Sequence, residues 1–395
     1  MRKLRFIEKL LDGVGVEWIA LDEVVKLQRG KRLIKSQLEE FGSYAVYQNS
    51  MTPLGYYHES NVKSDTTFII SAGAAGEIGY SDVDFWAADD VYFFLTPHNI
   101  KSKFLYHFLL LQQNKISAQV RRASVPRLSK TVVEKLQIPI PCPENPEKSL
   151  HIQGEIVRIL DNFTELTAEL TAELTARIKQ YNYYLDQLLT FDEGLIEWKT
   201  LGDVGEVRMC KRIFKDQTSD TGEIPFYKIG TFGKEPDAFI SRELFYEYRE
   251  KYSYPKVGEV LISASGTIGR AVIFDGQDAY FQDSNIVWIE NDEQRVLNKY
   301  LFYFYQVAEW NPSDGGVIKR LYNDNLKKVK IPIPYPANPK KSLAEQERIV
   351  AILNKFDTLI NSISDGLPRE IELRQKQYEY YREQLLSFPK VDSEA

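Results

Sequence analysis

The stretch SLHIQGEIVRILDNFTELTAELTAELTARIKQYNYYLDQLLTF, residues 149 to 191, decides the architecture of this 395-residue chain. Its apolar residues recur three or four positions apart from Ile152 to Leu188, which is the stripe of a long amphipathic helix. Two perfect TAEL units, residues 167 to 170 and 171 to 174, lie at its centre. About 40 helical residues at roughly 1.5 Å each would make a rod of about 60 Å. Such a rod needs a partner along its length.

A second copy of this helix supplies the partner. Residues 135 to 166 match residues 328 to 359 at 18 of 32 positions, with an offset of 193. Residues 177 to 191 match residues 374 to 388 with an offset of 197, so four residues are gained inside the second helix. Asp365-Gly366-Leu367-Pro368 reads as a helix stop and restart, and the second rod is predicted to bend there.

Each helix is preceded by a Pro-rich segment that is predicted to be extended rather than helical. Ser149 and Ser342 are the predicted N-caps of the two helices. Ser342 and Glu345 also have the spacing of a capping box.

The regions between the helices form a third repeat that agrees only in outline. Residues 16 to 37 match residues 196 to 217, and each copy opens with Glu-Trp. Both regions then contain short β-rich runs broken by small residues, followed by a short aromatic helix, predicted at 103 to 111 and 299 to 307. The C-terminal QLLSF joined to the N-terminal LLDGVGVEW would reproduce the central QLLTFDEGLIEW. The chain is therefore interpreted as two modules in a circular arrangement, with neighbouring termini and helices paired as an antiparallel coiled coil.

Composition limits the classes of function. With 43% hydrophobic and 13% aromatic residues, the chain can form two or three globular domains. The net charge of −6 means that any nucleic-acid-binding face must be local. Two distant cysteines without a CxxC favour a reducing cytoplasm and argue against a thiolate metal site. No apolar run reaches 18 residues and the N-terminus lacks a signal-peptide core, so neither membrane insertion nor secretion is expected.

Motifs for catalysis are missing from the sequence. There is no GxxxxGK[ST] or GxGxxG phosphate loop, no HExxH metal motif and no amino-methyltransferase site. The four histidines all lie in the first module, and none has a histidine counterpart in the second. We therefore expect no catalytic residue, cofactor or metal in this chain.

Candidate DNA contacts recur at matched places in the two modules, where Lys and Arg side chains can attract phosphates. They are Lys31, Arg32 and Lys35 with Lys211, Arg212 and Lys215, and also Arg121, Arg122 and Arg127 with Lys319 and Arg320. Tyr47, Gln48 and Asn49 are candidates for reading base edges by side-chain hydrogen bonds. Ordinary solvated loops remain the alternative for all of them. The Gly-rich segments at 71 to 79 and 263 to 269 fit either a close approach to DNA or plain tight turns.

Taken together, these residues resemble the DNA specificity subunit of type I restriction-modification systems, most closely the IC group. The resemblance rests on the IPIPxPxNPxKSL segments, the TAEL units, the QYxYYxxQLLxF endings and the Glu-Trp openings. It implies an α+β protein with two globular α/β target recognition domains, residues 1 to 148 and 192 to 341. It also implies two long helices, residues 149 to 191 and 342 to 395, that form an antiparallel coiled coil within a circular pseudo-twofold repeat.

The same resemblance implies a function in double-stranded DNA recognition. Each recognition domain would read one half of a bipartite, asymmetric site, and the helices would set the spacer. Partners would be two methyltransferase subunits, which use S-adenosylmethionine to methylate adenine N6, and restriction subunits, which use ATP and magnesium. This chain would be non-catalytic and cytoplasmic. The alternative is a coiled-coil assembly scaffold that binds proteins and no DNA, from which salt-dependent DNA binding would distinguish it.

Overall fold

The computed structural model describes residues 10 to 11, 13 to 192, 194 to 312, 319 to 362 and 366 to 389. The chain divides into two compact units. The first contains residues 1 to 171 and 370 to 395, and the second contains residues 172 to 369. Each unit therefore combines one globular region with parts of both long helical segments.

The first globular region is an α/β domain. Its strands are β1 (Val16–Ala20), β2 (Lys26–Arg29), β3 (Tyr44–Tyr47), β4 (Gly55–Tyr57), β5 (Thr66–Ile70), β6 (Ile78–Ser81), β7 (Trp86–Ala87), β8 (Val91–Leu95) and β9 (Gln137–Pro141). Its helices are α1 (Leu21–Val24), α2 (Ser102–Leu111), α3 (Gln113–Ala118) and α4 (Lys130–Glu134), with a 3₁₀ turn at Lys35–Gln37. The helix predicted at 103 to 111 is confirmed as α2.

Three sheets build this domain. The antiparallel ribbon β1-β9 places Trp18 opposite Pro139. A four-stranded antiparallel sheet has the order β2-β8-β5-β6, and a three-stranded sheet has the order β4-β3-β7, with β3 parallel to β7. Every residue of β5, the run TTFII, is buried, as expected for a central strand rich in β-branched side chains that is covered on both faces.

The long helix α5 (Pro146–Leu189) follows the first domain and has 44 residues. Its predicted N-cap, Ser149, is wrong, because Asn145 accepts a hydrogen bond from the Lys148 amide at 3.1 Å and Pro146 begins the helix. Proline suits this position because its fixed φ fits the helix and its missing N–H would have had no partner there. Ser149 is buried in the first turn instead, where its hydroxyl accepts from the side-chain amide nitrogen Nε2 of Gln153 at 3.1 Å.

The second globular region repeats the first domain with different loops. Its strands are β10 (Ile196–Thr200), β11 (Gly205–Arg208), β12 (Ile224–Tyr227), β13 (Phe239–Ile240), β14 (Val260–Ser263), β15 (Ala271–Ile273), β16 (Tyr280–Phe281), β17 (Ile286–Asn291) and β18 (Lys330–Pro334). Its helices are α6 (Leu201–Val204), α7 (Arg242–Lys251), α8 (Asn298–Val307) and α9 (Asn323–Lys328), with a 3₁₀ turn at Lys215–Gln217. The ribbon β10-β18 and the sheets β11-β17-β14-β15 and β13-β12-β16 have the same strand order as their counterparts. The two domains therefore share one topology.

The second helical segment consists of α10 (Pro339–Asn361) and α11 (Leu367–Leu386). The predicted interruption is confirmed, although Asp365 lies outside the described residues. The predicted cap and capping box at Ser342 are wrong for the same reason as in the first helix. Asn338 accepts from the Lys341 amide at 3.1 Å and Pro339 follows it, while Glu345 forms an ion pair with Arg348 at 2.7 Å.

Within each unit the two helical segments run antiparallel. In the first unit α5 runs away from the domain while α11 runs towards it, and Phe163 stacks on Tyr381 with ring centroids 5.1 Å apart. In the second unit α5 runs towards the domain while α10 runs away from it, and Tyr184 stacks on Phe356 at 5.4 Å. The offsets of 193 and 197 make these two ring pairs equivalent, so the pairing follows the pseudo-twofold repeat.

Residues close to both ends of the chain pack in the core of the first unit. Leu11 near the N-terminus and Phe388 near the C-terminus belong to one apolar cluster of the first unit. The Trp18 indole N–H donates to the Pro389 carbonyl at 3.2 Å, so the two ends of the described chain lie close together, as predicted; the terminal residues 1 to 9 and 390 to 395 lie outside the described residues. Within the described residues, no helix is both long and apolar enough to cross a membrane.

Candidate nucleic-acid interface

One loop of the first domain, residues 88 to 90 between β7 and β8, joins segments that are distant in the sequence. The Ala88 amide donates to the Tyr47 carbonyl at 2.9 Å, and the Asp90 carbonyl accepts from the Ser71 amide at 2.7 Å. Just before the loop, the Ala87 carbonyl accepts from the Lys31 amide at 2.9 Å. The end of β3, the Gly-rich turn and the first basic segment therefore meet at this loop.

The second basic cluster of the first domain lies at the same place. Arg127 forms β-bridges with Ala72 and with Arg121, so the basic hairpin lies along the Gly-rich turn. The Asn49 carbonyl accepts from the Ala74 amide at 2.9 Å, which ties the predicted base-reading segment to the same turn. Arg121, Arg122 and Arg127 are exposed. Two clusters that are separated by about ninety residues in the sequence thus flank one loop.

The glycines of this turn have a structural role. Gly73 has φ +84°, and a Cβ there would lie 2.6 Å from the Asn49 carbonyl oxygen. In the second domain Gly269 has φ +82°, and a Cβ would lie 2.1 Å from the Trp310 indole nitrogen. Both positions require glycine for backbone conformation and space, which supports the tight-turn interpretation.

The first basic segments carry exposed charge. Lys31, Arg32 and Lys35 are exposed, and within the described residues none of them has a carboxylate partner. Several other surface cations of the two domains are paired with carboxylates, for example Lys63 with Asp84 at 2.8 Å and Lys228 with Asp237 at 2.9 Å. Unpaired cations keep their full attraction for phosphate.

The base-reading candidates differ in accessibility. The Tyr47 ring packs against Phe68 and Phe85, with centroids 5.0 and 5.6 Å away, and burial raises the pKa of its hydroxyl. Asn49 is exposed, and Gln48 is half-buried. Asn49 is therefore the more accessible of the two amide side chains.

In the second domain the equivalent loop, residues 282 to 285 between β16 and β17, again joins both basic clusters. The Arg212 guanidinium pairs with Asp283 at 3.0 Å. The Arg320 guanidinium donates to the Asn285 side-chain oxygen at 3.2 Å, and Arg320 forms a β-bridge with Ser265 of the Gly-rich turn. Lys211, Lys215 and Lys319 are exposed, and the Lys211 ammonium lies 5.1 Å from the centre of the Tyr252 ring.

Two amide side chains in this loop, those of Gln282 and Asn285, were not predicted from the sequence as site residues. The Gln282 side-chain oxygen accepts from the Ile229 amide at 3.0 Å, and the Asn285 side-chain oxygen accepts from the Ser265 hydroxyl at 2.8 Å. The local sequence Gln-Asp-Ser-Asn reads only as a turn. Its position in the repeat was the available signal, because it is equivalent to residues 88 to 90 of the first domain.

The arrangement closest to an acid-base site lies elsewhere and is buried. His107, which is fully buried, lies 2.9 Å from the Tyr378 hydroxyl and 3.0 Å from Asp161, whose other oxygen accepts from Lys103 at 2.7 Å. Burial lowers the pKa of His107, although the hydrogen bond to Asp161 acts in the opposite direction. Burial acts to raise the pKa of Asp161, but the hydrogen bonds from His107 and Lys103 outweigh it, and the pKa is lowered.

The lowered pKa values of His107 and Asp161 indicate a neutral imidazole and an ionised carboxylate. The imidazole then donates a hydrogen bond to Asp161 and accepts one from the Tyr378 hydroxyl. No substrate could reach this group, so its role is to hold α2, α5 and α11 together. Among the described residues no group of three or more His, Cys, Asp or Glu side chains could hold a metal ion.

The fold defines the class: a tandem duplication with one α/β domain per repeat and paired helices. The family profile described as the type I restriction modification DNA specificity domain matches residues 13 to 180 and 195 to 373. A Haemophilus influenzae protein described as a putative type I restriction enzyme specificity subunit is 51% identical, with 97% of this chain and 98% of that protein aligned. The Escherichia coli EcoR124I/EcoR124II specificity subunit is 35% identical over 100% of this chain and 99% of its own length.

Solved structures agree on the fold. The S subunit of a type I restriction-modification system from M. genitalium aligns with a TM-score of 0.62 at 16% identity, covering 96% of this chain and 98% of that one. A chain from a study of complex assembly and conformational transition of the type I system aligns with a TM-score of 0.56 at 14% identity, covering 94% and 97%. The protein belongs to the type I restriction-modification DNA specificity family, with relatives in the IC group, and is its non-catalytic DNA-recognition subunit.

Proposed function

We propose that this chain recognises a bipartite, asymmetric site in double-stranded DNA. The first recognition domain, residues 1 to 148, reads one half and the second, residues 192 to 341, reads the other. The observation that carries the proposal is the matched loop, at 88 to 90 and 282 to 285, which in each domain joins two basic clusters to a Gly-rich turn. One topology places the loop equivalently, while different loop side chains make the two half-sites different.

The helices carry two equivalent docking surfaces for partner subunits. Tyr183 and Tyr184 form an edge-to-face pair with centroids 5.5 Å apart, and Tyr380 and Tyr381 form the same pair at 5.4 Å. Tyr183 is 61% exposed and Tyr380 is 59% exposed. Large exposed aromatic side chains are typical anchors of protein interfaces. Two equivalent pairs support the binding of two copies of one partner, the methyltransferase subunit.

The partners supply the chemistry. The methyltransferase subunits bind S-adenosylmethionine and methylate adenine N6, and restriction subunits bind ATP and magnesium and join this core. The EcoR124I/EcoR124II relative is a subunit of such a restriction enzyme, which supports the same assembly here. We place the complex in the cytoplasm, where these cofactors and the chromosome are found. A scaffold that binds no DNA is disfavoured by membership of a DNA specificity family.

The test is methylome sequencing of a host that carries the methyltransferase gene with and without the gene for this chain. We expect one bipartite adenine motif that appears only when both genes are present. Absence of any motif, together with DNA binding by the purified complex that is neither sequence-specific nor salt-dependent, would refute the proposal.

A further inference from the structure

The Asn285 side chain in the second domain has its hydrogen-bonding orientation fixed by the protein. Its oxygen lies 2.8 Å from the Ser265 hydroxyl and 3.2 Å from an Arg320 guanidinium nitrogen. An arginine can only donate, so the atom facing it must be the carbonyl oxygen and not the amide nitrogen. Two donors occupy both lone pairs of that oxygen. The NH₂ group of Asn285 is therefore the part of the side chain that remains for a ligand.

The backbone holds this group in place. The Asn285 carbonyl accepts from the Ala264 amide at 2.7 Å, and its own amide donates to the Asp283 carbonyl at 2.7 Å. Ser284, which lies between Asp283 and Asn285 in the sequence, has φ +55°. This left-handed backbone conformation costs free energy for a residue other than glycine. Strained backbone of this kind persists where surrounding contacts determine it, and here the loop is fixed on both sides.

Two exposed arginines lie close to the amide. Arg212 pairs with Asp283, two positions before Asn285, and Arg320 contacts Asn285 itself. Both arginines are exposed, and Asn285 is half-buried. Arg320 has no carboxylate partner within the described residues, and its contact with a phosphate would place the amide near the edge of a base pair.

We propose that Asn285 is a specificity-determining residue that reads a base through its two N–H donors alone. Because its oxygen is not available, it cannot form the bidentate donor-and-acceptor contact that asparagine usually makes with adenine. Its partner is a major-groove edge made of acceptors. Guanine fits best, since N7 and O6 are adjacent acceptors, whereas cytosine offers only its N4 donor there. This inference rests on the proposed function and assigns one base-reading group within it.

The equivalent position of the first domain has the opposite polarity. The Asp90 carbonyl accepts from the Ser71 amide as the Asn285 carbonyl accepts from the Ala264 amide. Asp90 is half-buried, and within the described residues its carboxylate forms no hydrogen bond or ion pair. A carboxylate can only accept, so it suits a base with an amino donor, such as cytosine. One domain thus presents donors and the other acceptors at matched places.

The decisive variant is Asn285→Asp, which keeps the oxygen facing Ser265 and Arg320 and replaces the outward donors by an acceptor. Gln294→Glu is the matched control, because it adds the same negative charge at an exposed position beyond the other end of β17. Each variant is expressed with the cognate methyltransferase subunits, and the methylated motif is mapped. The purified complex is also tested for binding to duplexes in which each position of the site carries each of the four bases.

We expect N285D to change the preferred base at one position, or two adjacent positions, of a single half-site. N285A should relax the same position, with discrimination between guanine and the other bases reduced at least about fivefold. The other half-site and the spacer should be unchanged, and Q294E should keep the wild-type motif. Wild-type base preference in N285D and N285A overturns the inference, and so does equal loss of binding at all positions in a folded complex. A wild-type complex without any bipartite motif would instead refute the proposed function.

Discussion

At the scale of single residues, the two repeats use different side chains for the polar contact between the short aromatic helix and the long helices. In the first unit His107 of α2 contacts Asp161 of α5 at 3.0 Å and Tyr378 of α11 at 2.9 Å. At the equivalent place in the second unit the Tyr303 hydroxyl donates to the Asn354 side chain at 2.7 Å. The first arrangement contains an ionised carboxylate and a titratable ring, whereas the second contains only neutral partners. At this place the first unit therefore has a titratable contact that the second unit lacks.

The pH dependence has a definite sign. Burial lowers the pKa of His107 below its ordinary value, so the unfolded chain binds a proton in a range where the folded chain does not. Stability conferred by the neutral ring is complete above about pH 6.5 and is lost as the pH falls from there through the folded-state pKa. We expect the urea midpoint of unfolding of the wild-type protein to fall between pH 7.5 and 5.5.

The variant His107→Tyr with Asp161→Asn transfers the neutral pair of the second unit and should lose much of this decrease. His107→Ala alone should destabilise the first unit at pH 7.5 by about 2 to 4 kcal/mol, because it leaves a cavity and removes a partner of the half-buried Asp161 carboxylate. Denaturant unfolding at the two pH values measures both effects. An identical pH dependence in the double variant and the wild type would show that His107 is not the responsible group.

The unpaired cations of the first domain lead to a second prediction at this scale. Replacing Lys31, Arg32 and Lys35 with alanine should weaken DNA binding for all sequences and reduce the salt slope by about one per lost phosphate contact. The preferred sequence should change little. Lys63→Ala is the matched control, since that exposed lysine of the same domain is already paired with Asp84. Unchanged affinity and slope in the folded triple variant would assign these residues to a solvated loop.

At the scale of elements, the middle of α5 differs from its ends. Ile156, Leu160, Tyr181 and Leu185 are buried in the domain cores, whereas no residue between 161 and 180 is buried. Leu166 and Ile178 of the apolar stripe are 36% and 41% exposed. The Thr171 hydroxyl donates to the Thr167 carbonyl at 2.7 Å, so the threonines of the TAEL units are satisfied within the helix. The number of TAEL units can therefore change without disturbing the core of either domain.

One TAEL unit inserted after Leu174 should widen the gap between the half-sites and keep both half-site sequences. Four residues lengthen a helix by about 6 Å and turn its far end about 40° past a full turn. A base pair rises about 3.4 Å and turns about 34 to 36°. Length allows up to about two extra base pairs, and rotation favours one, so we expect one and at most two. Methylation mapping of the variant is the measurement; altered half-site bases, or an unchanged gap in an active complex, would show that the helix does not set the spacing.

The two equivalent tyrosine pairs, Tyr183 with Tyr184 and Tyr380 with Tyr381, predict that the complex contains two methyltransferase subunits. Tyr183→Ala or Tyr380→Ala should each remove one methyltransferase subunit from the complex, and the double variant should remove both, because loss of an interface anchor costs about 2 kcal/mol or more. Native mass spectrometry of the purified complexes counts the subunits. Tyr246→Ala, which changes an exposed tyrosine on α7, is the control. Retention of two partners by the double variant would exclude these surfaces.

At the scale of the whole molecule, the chain contains two domains with the same strand order and different loops. The net charge of −6 is compatible with DNA binding because exposed Lys and Arg side chains recur at the matched loops of the two domains. We expect this chain and its methyltransferase partner to methylate adenine together, and neither to do so alone. An assay with labelled S-adenosylmethionine and each purified component measures this. Methylation by the purified chain alone would contradict its assignment as a non-catalytic subunit.

Much of this organisation follows from the sequence by itself. The long helix, its interrupted second copy, the aromatic helices at α2 and α8 and the circular repeat all come from periodicity and self-similarity, which are local or directly readable signals. The basic clusters were also found in this way, because Lys and Arg recurred at matched positions. The N-caps were misplaced because Asn145 and Ser149 are both good capping residues and only a few residues apart, and the sequence does not say which one lies at the first turn.

Tertiary structure alone decided how the candidate interface is assembled. Arg212, Asp283 and Arg320 are far apart in the sequence, and their contacts arise from the order of strands in the sheets. The orientation of Asn285 likewise depends on Ser265, 20 residues before it, and on Arg320, 35 residues after it. Hydrogen-bond donors and acceptors on a side chain become directional only when fixed partners occupy some of them, and those partners are brought together by the fold.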